Sequence, residues 1–142
     1  MSTQYLSHQS GRIAYDDAGS GPLVLCAPSI GDVRAEYRFL VPALLAAGFR
    51  VVTMDLRGLG ESSTQWDDFS VAGVGSDMLA LIRHLDAGPA LIVTTSMAAG
   101  AAAWAAVEAP DQIAGIVMIG AAVHGSVSLV WSDAFQAAGP TR

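Results

Sequence analysis

Between Ala90 and Pro110 the chain runs from a buried-strand pattern, Ala90-Leu91-Ile92-Val93-Thr94, into an apolar helical pattern, with only Thr95-Ser96 between the two. A junction that short has to turn sharply. A serine at such a turn has its hydroxyl lifted above the carboxyl ends of the strands, where open parallel sheets bind their ligands. The backbone amide of Met97 then points from the helix N-terminus into the same space, where the helix dipole favours negative charge. The chemistry this would serve is nucleophilic attack by the Ser96 hydroxyl. The same spacing also suits an ordinary N-cap, whose oxygen accepts a backbone N–H, and spacing alone leaves both readings open.

A sharp strand-to-helix turn needs small residues two before and two after the serine, here Thr94 and Ala98. The alanines of residues 98–109, with Gly100, let the helix lie close to the sheet, which accounts for the alanine richness. A serine nucleophile also needs a base, and usually a third group to orient it. His8 precedes the first clear strand and His84 lies near a helix end, so both read as surface residues. His124 follows the strand at 113–119 on its carboxyl edge and is a candidate pocket residue, with Asp133 a weaker candidate for its acid. Cys26 lies in an apolar run and reads as a small buried hydrophobe. Trp66, Trp104 and Trp131 read as core or pocket lining.

No Cys or His pair has metal-ligand spacing, so no metal is expected. No other cofactor is expected either: Gly19-Ser20-Gly21-Pro22 precedes a strand, whereas a dinucleotide loop must open a helix.

The elements that would position Ser96 alternate. Strands are expected at 12–18, 23–27, 49–54, 90–94 and 113–119. The run Leu23-Val24-Leu25-Cys26-Ala27 is apolar throughout, as in a strand covered on both faces. Tyr37, Leu40, Leu44 and Leu45 have helical spacing over 35–47 and stop at Gly48, with Pro42 marking either a kink or the true helix start. Ser70 can cap a helix whose apolar face is Val71, Val74, Met78, Leu81, Ile82 and Leu85, ending at Gly88-Pro89. A helix is expected at 97–109, stopped by Pro110. This alternation implies an α/β fold, a mostly parallel sheet with helices on both faces. The last clear strand, 113–119, would then sit at a sheet edge and invite pairing with another chain.

At 142 residues the chain suits one domain, and 52% hydrophobic against 14% charged residues excludes intrinsic disorder. A net charge of −6 with no run of either sign argues against nucleic acid or an anionic membrane as partner, and favours small neutral or apolar molecules. The N-terminus lacks a basic stretch followed by an apolar one, and no apolar run reaches the eighteen or so residues of a membrane span. With a single cysteine, these features lead us to expect a soluble, cytoplasmic protein.

The turn Asp55-Leu56-Arg57-Gly58-Leu59-Gly60-Glu61-Ser62 follows the expected strand at 49–54 and resembles the D-x-R-G-x-G-x-S turn of the α/β-hydrolase superfamily. The resemblance extends from about Gly11 to Val123. The loop 28–32, this turn, Ser96 and the strand after its helix agree with the family in order. The family's G-x-S-x-G is Thr94-Thr95-Ser96-Met97-Ala98 here, and its His-Gly before the oxyanion amide is Pro28-Ser29.

The resemblance implies that Ser96 is the nucleophile and that the amides of Ile30 and Met97 form an oxyanion hole. It gives Asp55 and Arg57 structural roles in their turn. It implies the amino-terminal half of a hydrolase fold over residues 1–124, with 125–142 beginning a lid or partner-contact segment. The triad acid and histidine would follow later strands. The expected activity is therefore hydrolysis of a small, apolar ester or acyl substrate, with acid and base supplied by a separate chain. That second chain, or self-association, would cover the edge of 113–119. The competing expectation is an inactive, truncated hydrolase serving as a binding or assembly subunit. Cleavage of C–C or peptide bonds is a third reading of the same nucleophile.

Overall fold

The computed structural model describes residues 2–121. They form a six-stranded sheet of β1 (Gln4–His8), β2 (Gly11–Ala18), β3 (Leu23–Ala27), β4 (Arg50–Met54), β5 (Ala90–Thr95) and β6 (Ile113–Ile119), in the order β1-β2-β4-β3-β5-β6. From β4 through β3 and β5 to β6 every pairing is parallel, while β1 and β2 are antiparallel additions on one side. The helices are α1 (Leu40–Ala46), α2 (Val71–Leu85) and α3 (Ala98–Glu108). Short 3-10 turns occupy Arg34–Tyr37 and Pro110–Gln112.

The apolar run of β3 serves both faces of the sheet. Leu23, Leu25 and Ala27 join the core beneath α2 and α3 with Val52, Met54, Met78, Leu81 and Ile92. Val24 and Cys26 face the other way, packing with Val51, Val93 and Tyr37 against Leu40, Leu44 and Leu45. Burial pushes the Cys26 thiol up to about 12, so it stays protonated and unreactive. The α3 alanines do what their size allows: Ala98, Ala101, Ala102 and Ala105 are fully buried. A Cβ on Gly75 of α2 would stand 2.5 Å from Trp104 and 2.8 Å from the Ala101 carbonyl, so glycine is what lets the two helices meet.

Most elements fall where the sequence puts them. Pro42 lies in the first turn of α1, where a missing amide costs little, and the preceding residues form the separate 3-10 turn. The helix α2 starts at a Ser70 cap, with the Gly73 amide donating to its Oγ at 3.0 Å. β1 is absent from the sequence reading for a physical reason. It is an edge strand in which only Leu6 packs on the core, and it is held by its ladder to β2 and by Arg12 stacked 4.1 Å over the Tyr5 ring.

At the other edge, β6 pairs only with β5 among the described residues, and Val117 and Ile119 stand about half exposed. None of the described helices is long and apolar enough to cross a membrane. The expectations for His124, Trp131, Asp133 and the segment 125–142 lie outside the described residues.

Candidate active site

The parallel strands β3, β4, β5 and β6 all end on one side of the sheet, so the loop after β3, the turn after β4 and Ser96 after β5 are neighbours there. Ser96 has φ +55°, a left-handed conformation that serine rarely adopts and that costs roughly 1–2 kcal/mol. The turn is held by β6: the Ser96 amide donates to the Ile119 carbonyl at 3.0 Å, and the Thr94 hydroxyl donates to the Val117 carbonyl at 3.0 Å. That second bond explains how threonine is accommodated, fully buried, where the family motif has glycine.

The structure does not give Ser96 the geometry of an N-cap. An N-cap has extended backbone and a side chain that accepts an N–H, as Ser70 does. Ser96 has neither, and α3 begins after Met97 without any side-chain cap. Its hydroxyl makes no hydrogen bond to a described residue, and the turn leaves it half-buried.

Ile30 and Met97 come to the wall of one cavity of about 220 Å³, with Leu56, Leu59, Phe69 and Val74. Among the described residues neither amide is taken by a carbonyl. By contrast, the Ser29 amide is occupied, donating to Glu36 Oε2 at 2.8 Å, with the Ser29 hydroxyl at 3.3 Å from the same oxygen. A larger cavity of about 480 Å³ lies elsewhere, between α1 and strands β2 and β4. Ser96 is in the wall of neither cavity; the larger one also touches neither Ile30 nor Met97, and its Arg34 is already paired with Asp16, Asp55 and Glu61.

Asp55 is committed to structure. It is fully buried, its Oδ1 accepts the Arg34 amide at 2.7 Å, and its Oδ2 accepts the Glu61 amide at 2.9 Å and the Arg34 guanidinium. A Cβ on Gly60 would lie 2.3 Å from Asp55 Oδ2, and Gly60 has φ +53°, so the motif's second glycine is required twice over. Ser62 closes the turn, donating to the Asp55 carbonyl and accepting the Ala14 amide, both at 2.9 Å.

Arg57 reaches further than its own turn. It is bidentate to Asp77 of α2 at 2.8 and 2.7 Å, donates to the Asp68 carbonyl at 2.6 Å, and lies 4.3 Å over the Trp66 ring. Burial pushes the Asp77 carboxyl up, and Arg57 opposes it. The sequence reading missed Asp77, although an acid between Val74 and Met78 on a buried helix face signals a buried cation.

Two histidines are described, and neither bonds to Ser96. His8 is half-buried rather than a plain surface residue, with its Nε2 3.4 Å from Ser76 Oγ and 3.9 Å from Asp77. His84 is exposed, edge-on to Tyr15. Among the described residues no group of three or more His, Cys, Asp or Glu is placed to hold a metal.

A sheet of this order, with a sharp serine turn at the carboxyl ends of its parallel strands, defines a class. The family described as "alpha/beta hydrolase fold" matches residues 22–141, and the chain belongs to it. The protein named "Putative non-heme bromoperoxidase BpoC" of Mycobacterium tuberculosis (strain ATCC 25618 / H37Rv) is 39% identical over 108 residues, which are 75% of this chain and 41% of that protein. The crystal structure of a bromoperoxidase from Bacillus anthracis is 30% identical with a TM-score of 0.78, covering 84% of this chain and 45% of that one. A hydrolase from Pseudomonas aeruginosa PA01 is 27% identical with a TM-score of 0.80, covering 95% of this chain and 52% of that one. The chain thus spans about half the length, or less, of these relatives.

Proposed function

We propose that the complete catalytic unit is a serine hydrolase acting on small, apolar esters or related acyl compounds. Ser96 Oγ attacks the carbonyl carbon and gives its proton to a histidine, and the carbonyl oxygen becomes an oxyanion held by the Ile30 and Met97 amides. Collapse of this intermediate releases the alcohol, which takes the proton from the histidine. Water then adds to the acyl-Ser96 and releases the acid. The histidine and its orienting acid come from outside the described residues, in this reading from a separate chain.

The observation that carries the proposal is the left-handed serine between β5 and α3, whose hydroxyl makes no hydrogen bond to a described residue. The mostly apolar lining of the cavity at Ile30 and Met97, in which Arg57 is the one charged residue, supports an apolar substrate. The outer edge of β6, unpaired among the described residues, supports a partner there, either the completing chain or a second copy. The Ser96→Ala variant of the complete unit should lose at least about a thousandfold in kcat on a short-chain p-nitrophenyl ester. Turnover within tenfold of wild type would remove the nucleophile assignment.

A further inference from the structure

The phenol of Tyr37 sits beneath the site and joins its two sides. Its hydroxyl is 2.8 Å from the Ala27 carbonyl, the last residue of β3, and 2.7 Å from Thr95 Oγ1, the residue just before Ser96. A carbonyl can only accept, so the phenolic proton goes to Ala27 and the Thr95 hydroxyl donates to Tyr37. The adjacent Glu36 accepts both the amide and the hydroxyl of Ser29, one residue before Ile30. At the start of the same 3-10 turn, the Arg34 amide donates to Asp55, after β4. One four-residue turn therefore holds the ends of β3, β4 and β5.

We propose that Tyr37 and Glu36 are positioning residues that set the gap between the Ile30 and Met97 amides, Tyr37 by clamping Ala27 to Thr95 and Glu36 by turning the Ser29 peptide. This rests on the oxyanion reading of those amides. Oxyanion donors act only when fixed where charge develops, and a displacement of about 1 Å can cost on the order of a hundredfold in rate. Three features suit the role. Tyr37 is buried, with 4% exposure, among Val24, Cys26, Val51 and Val93. Burial drives its phenol above the ordinary value, so it remains a donor throughout the working pH range. Its two partners are 68 residues apart in sequence yet adjacent in space, since Ala27 pairs with Thr94.

The test is ester hydrolysis by the complete catalytic unit, with Ser96→Ala as the reference. Tyr37→Phe keeps the ring and removes only the hydroxyl. It should lower kcat about ten- to a hundredfold, leave KM within about twofold, and leave the shape of the pH profile unchanged. Thr95→Val removes the other end of the bridge and should do the same, and the double variant should fall no further than either single one. Thr95→Val also answers for Tyr37→Phe should that chain not fold. Glu36→Ala should lower kcat, and Glu36→Gln, which keeps an acceptor oxygen, should recover most of it. Folded Tyr37→Phe and Thr95→Val proteins with wild-type kcat, or losses confined to KM, would overturn the proposal while an inactive Ser96→Ala left the nucleophile standing. Wild-type activity no greater than that of Ser96→Ala would overturn both.

Discussion

Two turns follow parallel strands that flank β3 and lie on the same side of the sheet, and they use their polar groups in opposite ways. In the turn after β4 the Asp55 carboxylate is surrounded by donors, and the left-handed positions are taken by Gly58 and Gly60. In the turn after β5 the left-handed position is taken by a serine, whose hydroxyl and following amide are engaged by no described residue. A carboxylate with its oxygens occupied stabilises a fold and has nothing left to offer a substrate. A strained residue whose polar atoms are unspent costs stability and is available for chemistry. The family motif is more obvious at Asp55, but the unspent polar groups are at Ser96.

Substitutions that exchange the properties of the two turns should therefore have opposite signs. Gly60→Ala adds left-handed strain and drives a methyl group into the Asp55 carboxylate, displacing it from its donors. It should destabilise the chain by about 3–5 kcal/mol in urea titration. A loss under about 1 kcal/mol would mean that Asp55 can move without penalty. Ser96→Gly relieves strain instead. Offset by the extra freedom glycine gives the unfolded chain, it should leave stability unchanged or raise it by up to about 1 kcal/mol, while abolishing activity. A clear loss of stability would show that the serine hydroxyl has a structural duty after all.

The smallest effect is electrostatic. Glu61 is held below its ordinary value by the Arg34 guanidinium first and then by Tyr5, and Asp68 is held below its own by the Ser70 amide and hydroxyl. A carboxyl whose folded value is lowered adds stability that is fully present above its unfolded value and is lost as the pH falls through the folded one. The urea midpoint should thus be flat above about pH 4.5, the ordinary value for Glu61, and decline below it. In Glu61→Gln the decline should be shallower. An identical profile would mean that the Arg34 to Glu61 pair contributes nothing.

The sheet was largely legible in the sequence because a strand buried on both faces has to be apolar throughout, as Leu23 to Ala27 are. The turn at Ser96 was legible because strand and helix are almost contiguous there. β1 was not, since an edge strand held by backbone pairing and one buried leucine leaves little pattern. Tyr37 reads in sequence only as an apolar helix position, and its tie to Thr95 spans 58 residues. Glu36 left no signal at all, because nothing local distinguishes it from a solvated surface acid. Positioning residues of this kind show up only once the strands have been brought together.

The most direct test of the account is intact-mass labelling with a fluorophosphonate, applied to the protein purified with whatever chain accompanies it. Ser96→Ala and Tyr37→Phe serve as controls. The account predicts one adduct, located on Ser96, absent from Ser96→Ala and slowed in Tyr37→Phe. An adduct that persists in Ser96→Ala, or a folded wild-type protein that takes up no label, would contradict it.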